Sequence, residues 1–470
     1  MQVPILNGVY SDSDGDYRIA YPVNLIPVVQ STGISDSYLR PADGIEQVAY
    51  SIGNDRGGIV VNGVLYRVIG NAFWRVNSDL TITNIGIIPG TGQVSMAYSF
   101  DNIAISAAGL LYYYAFSTGL LTQVTDPFLG VCLYINWLDG FFVSTDGNYI
   151  ISSNLSAPAT FNALNYGSSE VVPDSINSIQ ILRNQMYAVN RYSIEKFEVI
   201  GGQFFPFQRV DGGFVPRGAV SPFSCIVFED SLAMVGSGQN EPNGVWMIQN
   251  SNMLKISTKE IDAQISRYSD DDLSDLIIET RLVETHRFLY IHLPHSTYVY
   301  DAGASNDLGN PVWFVLRSTI SGEGRYNAYN FNYAYGSWFC GNPSDSGLNR
   351  LRSDIGSHYG QPVGWEFNTI ISYNEMQGGI FYEMELAGLI GNVANATIDP
   401  MIWTTYSNNS GVTWSMVKAR RSGRQGQREK RINWLQCGVM NDRRIQKFSG
   451  TSDSHLTFAA LEVRTEPLIN

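Results

Sequence analysis

Four groups of residues have types and spacings that could do chemistry. His292 and His295 stand as H-x-x-H. Zinc needs further N or S ligands at set spacing, and none follows; Pro294 also puts the pair on a turn, so structural or surface histidines are the simpler reading. Asp270, Asp271 and Asp272 could face a divalent cation, but the spacing and glycine of a calcium loop are missing. They stand after Ser269 at an expected helix start, where acids suit the positive end of the helix dipole. SNNSGVTW at 407–414 is close to the S-x-D-x-G-x-x-W hairpin, with Asn409 in the aspartate position. In such a hairpin the Asx side chain caps the turn, Gly411 takes positive φ and Trp414 packs beneath. That is a folding element, not catalytic apparatus. The fourth group is basic: Lys418, Arg420, Arg421, Arg424, Arg428, Lys430 and Arg431, with one acid, Glu429, among them. Two readings stand side by side, a solvated hairpin tip or an arm that contacts acidic neighbours or DNA phosphates. The run has no interleaved aromatics for base stacking.

No G-x-S-x-G, H-E-x-x-H or phosphate-binding loop is present. The chain is therefore read as a non-enzyme with no cofactor and no metal. Two other classes stay open. A host-glycan-binding module predicts an exposed aromatic shelf; a propeller glycosidase predicts two carboxylates about 5–9 Å apart in a pocket.

The elements that must position these groups are best seen at 284–316, ETHRFLYIHLPHSTYVYDAGASNDLGNPVWFVL. Aromatic and β-branched residues predict strands at 287–293, 296–300 and 312–316. Pro294 breaks the first, since it has no N–H for a ladder. Gly, Asn and Asp chemistry over 301–310 predicts a longer turn. Such a meander leaves an apolar face uncovered and needs neighbours of its own kind.

Composition agrees. Of 470 residues only 16% are charged and 12% are aromatic, with 45 Gly and 27 Tyr, against roughly 25% charged in ordinary domains. Many short strands joined by turns would give this, as would a subunit largely covered by other subunits. The net charge of −13 is uneven: residues 1–354 carry 19 Lys+Arg and 33 Asp+Glu, residues 355–470 carry 11 and 10. An acidic body argues against wrapping duplex DNA but not against a conduit that does not grip it. Four scattered cysteines without C-x-x-C predict buried free thiols. The N-terminus shows no secretory pattern. The uncharged stretch 102–125 is split by Gly109 and Gly119 into strand lengths, so it is not read as a membrane helix.

Along the chain, residues 1–50 read as an extended arm docked on the next domain. From about 51 to 354 a loose repeat recurs every 40–50 residues: NGVLYRVIGNAFWRV, AGLLYYYAFSTGLLTQV, DGFFVSTDGNYIISS and RNQMYAVNRYSIEKFEV are its clearest copies. This is the scale of a propeller blade. The insert 257–276 predicts two short helices, from Ser257 with Glu260 as a capping box and from Ser269. Residues 355–470 hold fewer, longer strands and read as a β-sandwich-like domain. The expected fold is all-β: an irregular β-propeller with a short helical insert, then the sandwich.

Several stretches together resemble the tail hub, or packaged-DNA stabilisation protein, of short-tailed phages of the Salmonella lambdoid type. They are YPVNL, SYLRPADGI, GQVSMAY, PVWFVL and, most specifically, ISRYSDDDLSDLIIETRLVETHRFLYIHLPHSTYVYDA at 265–302. The resemblance implies a structural virion protein made in the bacterial host cytoplasm. It implies a homo-oligomer, a hexameric ring below the portal and its adaptor, that closes the DNA channel. It implies as partners the tail needle or plug, tailspikes or fibres, and genomic double-stranded DNA without sequence specificity, with no membrane insertion. The candidate contact segments are the N-terminal arm, the helical insert 257–276 with Asp270, Asp271 and Asp272, and the basic residues of 418–431.

Overall fold

A computed structural model of the chain describes residues 2–6, 8–11, 17–30, 35–50, 53–202, 204–249, 252–343, 346–372, 378–393 and 399–468. Seven small antiparallel sheets stand side by side. Their innermost strands are Asp55–Val61, Ser95–Tyr98, Tyr134–Leu138, Ile176–Leu182, Cys225–Phe228, Ile277–Val283 and Tyr329–Ala334. Each touches the next, and the last touches the first, which closes a seven-bladed propeller. Hairpin tips carry left-handed residues: Asn62 with Gly63 and Asp139 with Gly140 have positive φ at both positions, the geometry that lets a two-residue turn match the strand twist.

The apolar core is not one mass but a series of shared faces. Tyr66 and Phe73 of the first blade pack with Ile103, Tyr112 and Tyr114 of the second. Leu111 and Tyr113 pack with Phe142 and Ile151 of the third. The series ends where Leu65 and Val76 of the first blade meet Phe339 and Leu348 of the seventh. A single blade buries neither face alone, so the repeat must close. Each fully buried Phe, Leu or Ile contributes about 1.5–3 kcal/mol of hydrophobic stabilisation.

The seventh blade is completed from the other end of the chain. Gly44–Ala49 pairs antiparallel with Leu348–Arg352, Ile45 opposite Leu351. The two ends of the ring are pressed close here: a Cβ on Gly341 would lie 2.2 Å from the Cβ of Asp55, so only glycine fits.

The C-terminal domain is a sandwich. One sheet orders Asn433–Met440, Gly379–Leu389, Thr457–Pro467, Tyr38–Pro41 and Leu25–Val28, with Gln2–Val3 pairing Thr457–Pro467. The other orders Gly364–Ser372, Arg443–Thr451, Met401–Ser407 and Lys418–Arg421. Trp365, Phe367, Trp434, Phe448 and Phe458 fill the space between. Residues 1–50, expected as an arm docked on the propeller, are thus shared between the domains. Pro27 lies in the outermost strand, where its missing N–H leaves no ladder bond unmade.

The helices differ from expectation. The insert forms one α-helix, α1 (Lys259–Ile265), whose N-cap is Thr258. Ser257 instead takes the Val245 N–H at 3.1 Å and donates to Asp262 at 2.6 Å. Ile261 and Ile265 form its buried face. The second expected helix is only a set of turns over 270–275. Its capping pair forms, with Ser269 Oγ donating to Asp272 at 2.7 Å, but there is no apolar stripe for it to extend. The turn expected over 301–310 instead holds α2 (Ala302–Leu308), capped by Asp301 and ended by Gly309 at φ 69°. Among the described residues no helix is long and apolar enough to cross a membrane. The described cysteines are free and buried; burial pushes the Cys132 thiol up to about 11 and those of Cys225 and Cys340 to about 12.

Candidate functional site

The three consecutive acids do not converge. Asp270 pairs with Arg191 at 2.7 Å and accepts from Asn243 Nδ2 at 3.2 Å. It therefore joins loops of the fourth and fifth blades. Asp272 is engaged with Ser269, whose hydrogen bonds hold its carboxyl below the usual range. Asp271 is exposed, and its carbonyl accepts from Ser274 Oγ at 2.7 Å. Among the described residues no cluster of three His, Cys, Asp or Glu could hold a metal. His292 is buried with Nε2 3.1 Å from Glu279, and burial lowers its pKa; His295 lies against the Tyr268 ring.

The hairpin at 407–414 closes as its sequence directs. Asn409 Oδ1 accepts the Thr413 N–H at 2.9 Å, Ser407 Oγ accepts the Gly411 N–H at 2.8 Å, and Gly411 has φ 90°. Trp414 does not pack beneath, however; it keeps 40% exposure.

The basic run is more ordered than a free tip. Lys418–Arg421 is an edge strand paired with Met401–Ser407. Lys418 Nζ donates to the Leu435 and Gln436 carbonyls at 3.1 and 2.5 Å, and Arg420 Nε to Asn433 O at 2.8 Å. Arg421 and Lys430 approach Asp399 at 3.4 and 3.6 Å. Arg431 Nε donates to Glu385 at 2.8 Å, which lowers the carboxyl pKa of Glu385. Arg424 and Arg428 are exposed, and no side-chain partner holds either guanidinium among the described residues.

Sequence reasoning missed a cleft of about 330 Å³ between the domains. Tyr21 precedes the strand Leu25–Val28, Glu260 and Gln264 stand on α1, Tyr298 comes from the sixth blade, and Asn368, Trp414 and Lys447 from the sandwich. Glu366 also lines it, 2.7 Å from Lys447. Trp414 stood in the 407–414 hairpin, Glu260 in the capping box, and Tyr21 and Tyr298 in the stretches that carry the resemblance, but no local pattern pointed to their meeting; domain packing brings them together.

Similarity to known proteins spans both domains. Residues 1–356 match the family described as Bacteriophage P22 Gp10, beta-propeller. Residues 364–466 match Bacteriophage P22 Gp10, beta-sandwich. The chain is 26% identical over 378 residues to "Tail hub protein gp10" of Salmonella phage P22, covering 76% of this chain and 78% of that protein. Among solved structures it is similar to U3-55K at 8% identity and a TM-score of 0.42, over 66% of this chain and 98% of that one. It is also similar to the Neurospora crassa Pan2 WD40 domain at 8% identity and a TM-score of 0.41, over 64% and 89%. With both its propeller and its sandwich matched in order, the chain belongs to the bacteriophage P22 Gp10 family.

Proposed function

We propose that this chain is a structural, non-catalytic protein of a phage virion, the hub of a short tail. Copies assemble into a ring, six in our reading, below the portal and its adaptor. The ring extends and closes the DNA channel, keeps packaged DNA in place until ejection, and carries a needle or plug with spikes or fibres. The observations that carry this reading are the family matches over both domains and the similarity of 76% of the chain to a relative named a tail hub.

Physical features support it. Large apolar side chains are exposed on both domains: Ile87 at 72% and Phe100 at 88% on the propeller, Leu389 at 74% and Met416 at 91% on the sandwich. A surface poor in charge and rich in such residues suits a subunit covered by neighbours. The net charge of −14 over residues 1–354 suits a conduit whose wall does not hold phosphate. The exposed Arg424 and Arg428 are the cations of the basic run left for a contact beyond the chain.

Electron cryomicroscopy of the native particle tests the assignment. The expected result is density for this fold in a closed ring at the tail, between the head connector and the distal appendages. Purified particles that lack the chain would end the reading.

A further inference from the structure

We propose that the cleft between propeller and sandwich binds an organic cation, an ammonium or guanidinium head on an aliphatic stem. The inference does not rest on the tail role; it concerns the isolated chain.

Charge selects the ligand class. Three charged side chains line the cleft: Glu260, Glu366 and Lys447. Lys447 and Glu366 stand 2.7 Å apart and offset one another. On α1, Asp262 is paired with Lys255 at 2.6 Å, but among the described residues no cation pairs with Glu260. The lining therefore keeps one net negative charge, and the net −14 over residues 1–354 draws cations toward its mouth. A bare divalent metal does not match. Calcium takes six to eight oxygens, and among the described residues no group of three His, Cys, Asp or Glu could hold a metal.

The aromatic lining says what kind of cation fits. Lys447 Nζ lies 5.9 Å from the Trp414 ring centroid while it is paired with Glu366. One ammonium of the chain thus already sits between an aromatic ring and a carboxylate in this cleft. Tyr21, Tyr298 and Glu260 repeat that set beside it. The two tyrosine rings meet edge to face, centroids 6.5 Å apart at 87°. The Tyr21 hydroxyl is hydrogen-bonded with Oγ1 of Thr258, the N-cap of α1, which fixes the ring near Glu260. Burial pushes the pKa of that hydroxyl up, and the Glu260 carboxylate adds to the rise, so the phenol stays neutral. Neutral aromatic rings attract a cation through their faces, and a carboxylate accepts its N–H groups in charge-assisted hydrogen bonds. Val23 and Val315, both half-buried, complete the wall and suit the methylenes of a stem. The volume of about 330 Å³ is at the small end for ligand sites, which fits one head with its stem.

The test is isothermal titration calorimetry of the full chain with putrescine and with agmatine at low salt. Either should bind at one site per chain, more weakly as NaCl is raised. Glu260→Gln, which keeps a good helix former, should weaken binding at least tenfold with the unfolding midpoint unchanged. Tyr298→Leu should weaken it at least threefold. Lys447→Gln should tighten binding at least threefold, because it frees Glu366 for the ligand; loss of a merely structural lysine would not. A capped peptide with one central lysine or arginine that binds as tightly as the free amines assigns the cation to a protein side chain; binding of the free amines alone assigns a small polyamine. Absence of saturable heat with all of these probes, binding undiminished in Glu260→Gln, weaker binding in Lys447→Gln, or displacement by equimolar MgCl2 overturns the proposal.

Discussion

Arg67 Nε donates to Asp55 Oδ2 at 2.7 Å, and neither side chain is exposed at all. Both belong to the first blade, yet apart from the Gly57 N–H, which donates to Asp55 Oδ1 at 3.2 Å, their other side-chain partners come from the seventh. Arg67 donates to Asn332 Oδ1 at 2.9 Å and to Asn330 O at 3.1 Å, and Asn330 Nδ2 donates to Asp55 Oδ1 at 2.8 Å. The pair therefore sits at the seam of the ring, where the two ends of the propeller chain meet. Removing one partner leaves a buried charge without its opposite. Asp55→Asn is expected to destabilise the fold by about 3–5 kcal/mol, measured by urea unfolding followed by tryptophan fluorescence. Replacing both, as Asp55→Leu with Arg67→Met, removes the stranded charge and should recover at least half of the loss. A single variant as stable as wild type would show that the seam does not depend on the pair.

Asn24 performs the corresponding task between the domains. Its Nδ2 donates to Arg317 O at 2.9 Å and to Gly364 O at 2.8 Å, and its Oδ1 accepts the Arg317 N–H at 3.0 Å. Its φ of 54° is one that Asn tolerates better than Ala. Asn24→Ala loses three hydrogen bonds in a buried place and adds backbone strain, a cost of about 2–4 kcal/mol. The weakening is local to the junction, so limited proteolysis should cut the connection over 353–363 at least tenfold faster than in wild type. Unchanged cleavage would mean that the domains are held by other contacts.

The elements that were legible in the sequence, and those that were not, differ for physical reasons. The hairpins were legible because Asn62-Gly63 and Asp139-Gly140 announce their own turns. The strand Ile277–Val283 was not, because Glu279 and Arg281 interrupt its apolar pattern. Both are buried and tertiary partners satisfy them: Glu279 accepts the Asn330 and Phe331 N–H groups at 2.7 and 2.6 Å, and Arg281 pairs with Asp43. Helix α2 was hidden by weak helix formers in AGASNDL, although its cap, Asp301, and its stop, Gly309, were in view. At Ser269 the cap was in view but no amphipathic run follows. The basic run was visible as charge; that most of its cations bind the sandwich's own carbonyls and carboxylates depends on strand pairing no local pattern encodes. The cleft was illegible because segments hundreds of residues apart line it.

His358 gives the fold a dependence on pH. It is 4% exposed, and burial pushes its pKa down to about 3 from an ordinary 6.5. Ser318 Oγ lies 2.8 Å from Nδ1 and already accepts the Asn327 N–H, so its own proton can go to a neutral imidazole. The unfolded chain takes up a proton below pH 6.5 while the folded chain does not until about pH 3. Stability is therefore complete above pH 6.5 and is lost as pH falls toward 3, by up to about 1.4 kcal/mol per unit. Burial lowers His292 and His455 as well, with the same sign. In His358→Asn the fall in urea midpoint between pH 6.5 and 4.5 should be visibly shallower than in wild type. An identical slope would assign the acid sensitivity elsewhere.

Arg424 and Arg428 separate assembly from folding. Neither guanidinium has a side-chain partner among the described residues, whereas Arg431 is engaged with Glu385 and Glu383. Surface charges without partners contribute little to stability, so Arg424→Glu with Arg428→Glu should leave the unfolding midpoint within about 0.5 kcal/mol of wild type. If the pair meets an acidic neighbour or DNA in the particle, reversal turns attraction into repulsion. Complementation of a phage lacking the chain should then yield at least tenfold fewer DNA-retaining particles, with the protein still soluble and folded. Arg431→Glu should behave differently, lowering the sandwich's own stability because Glu385 and Glu383 then face a third acid. Full DNA retention with both Arg424 and Arg428 reversed would show that this tip points only at solvent.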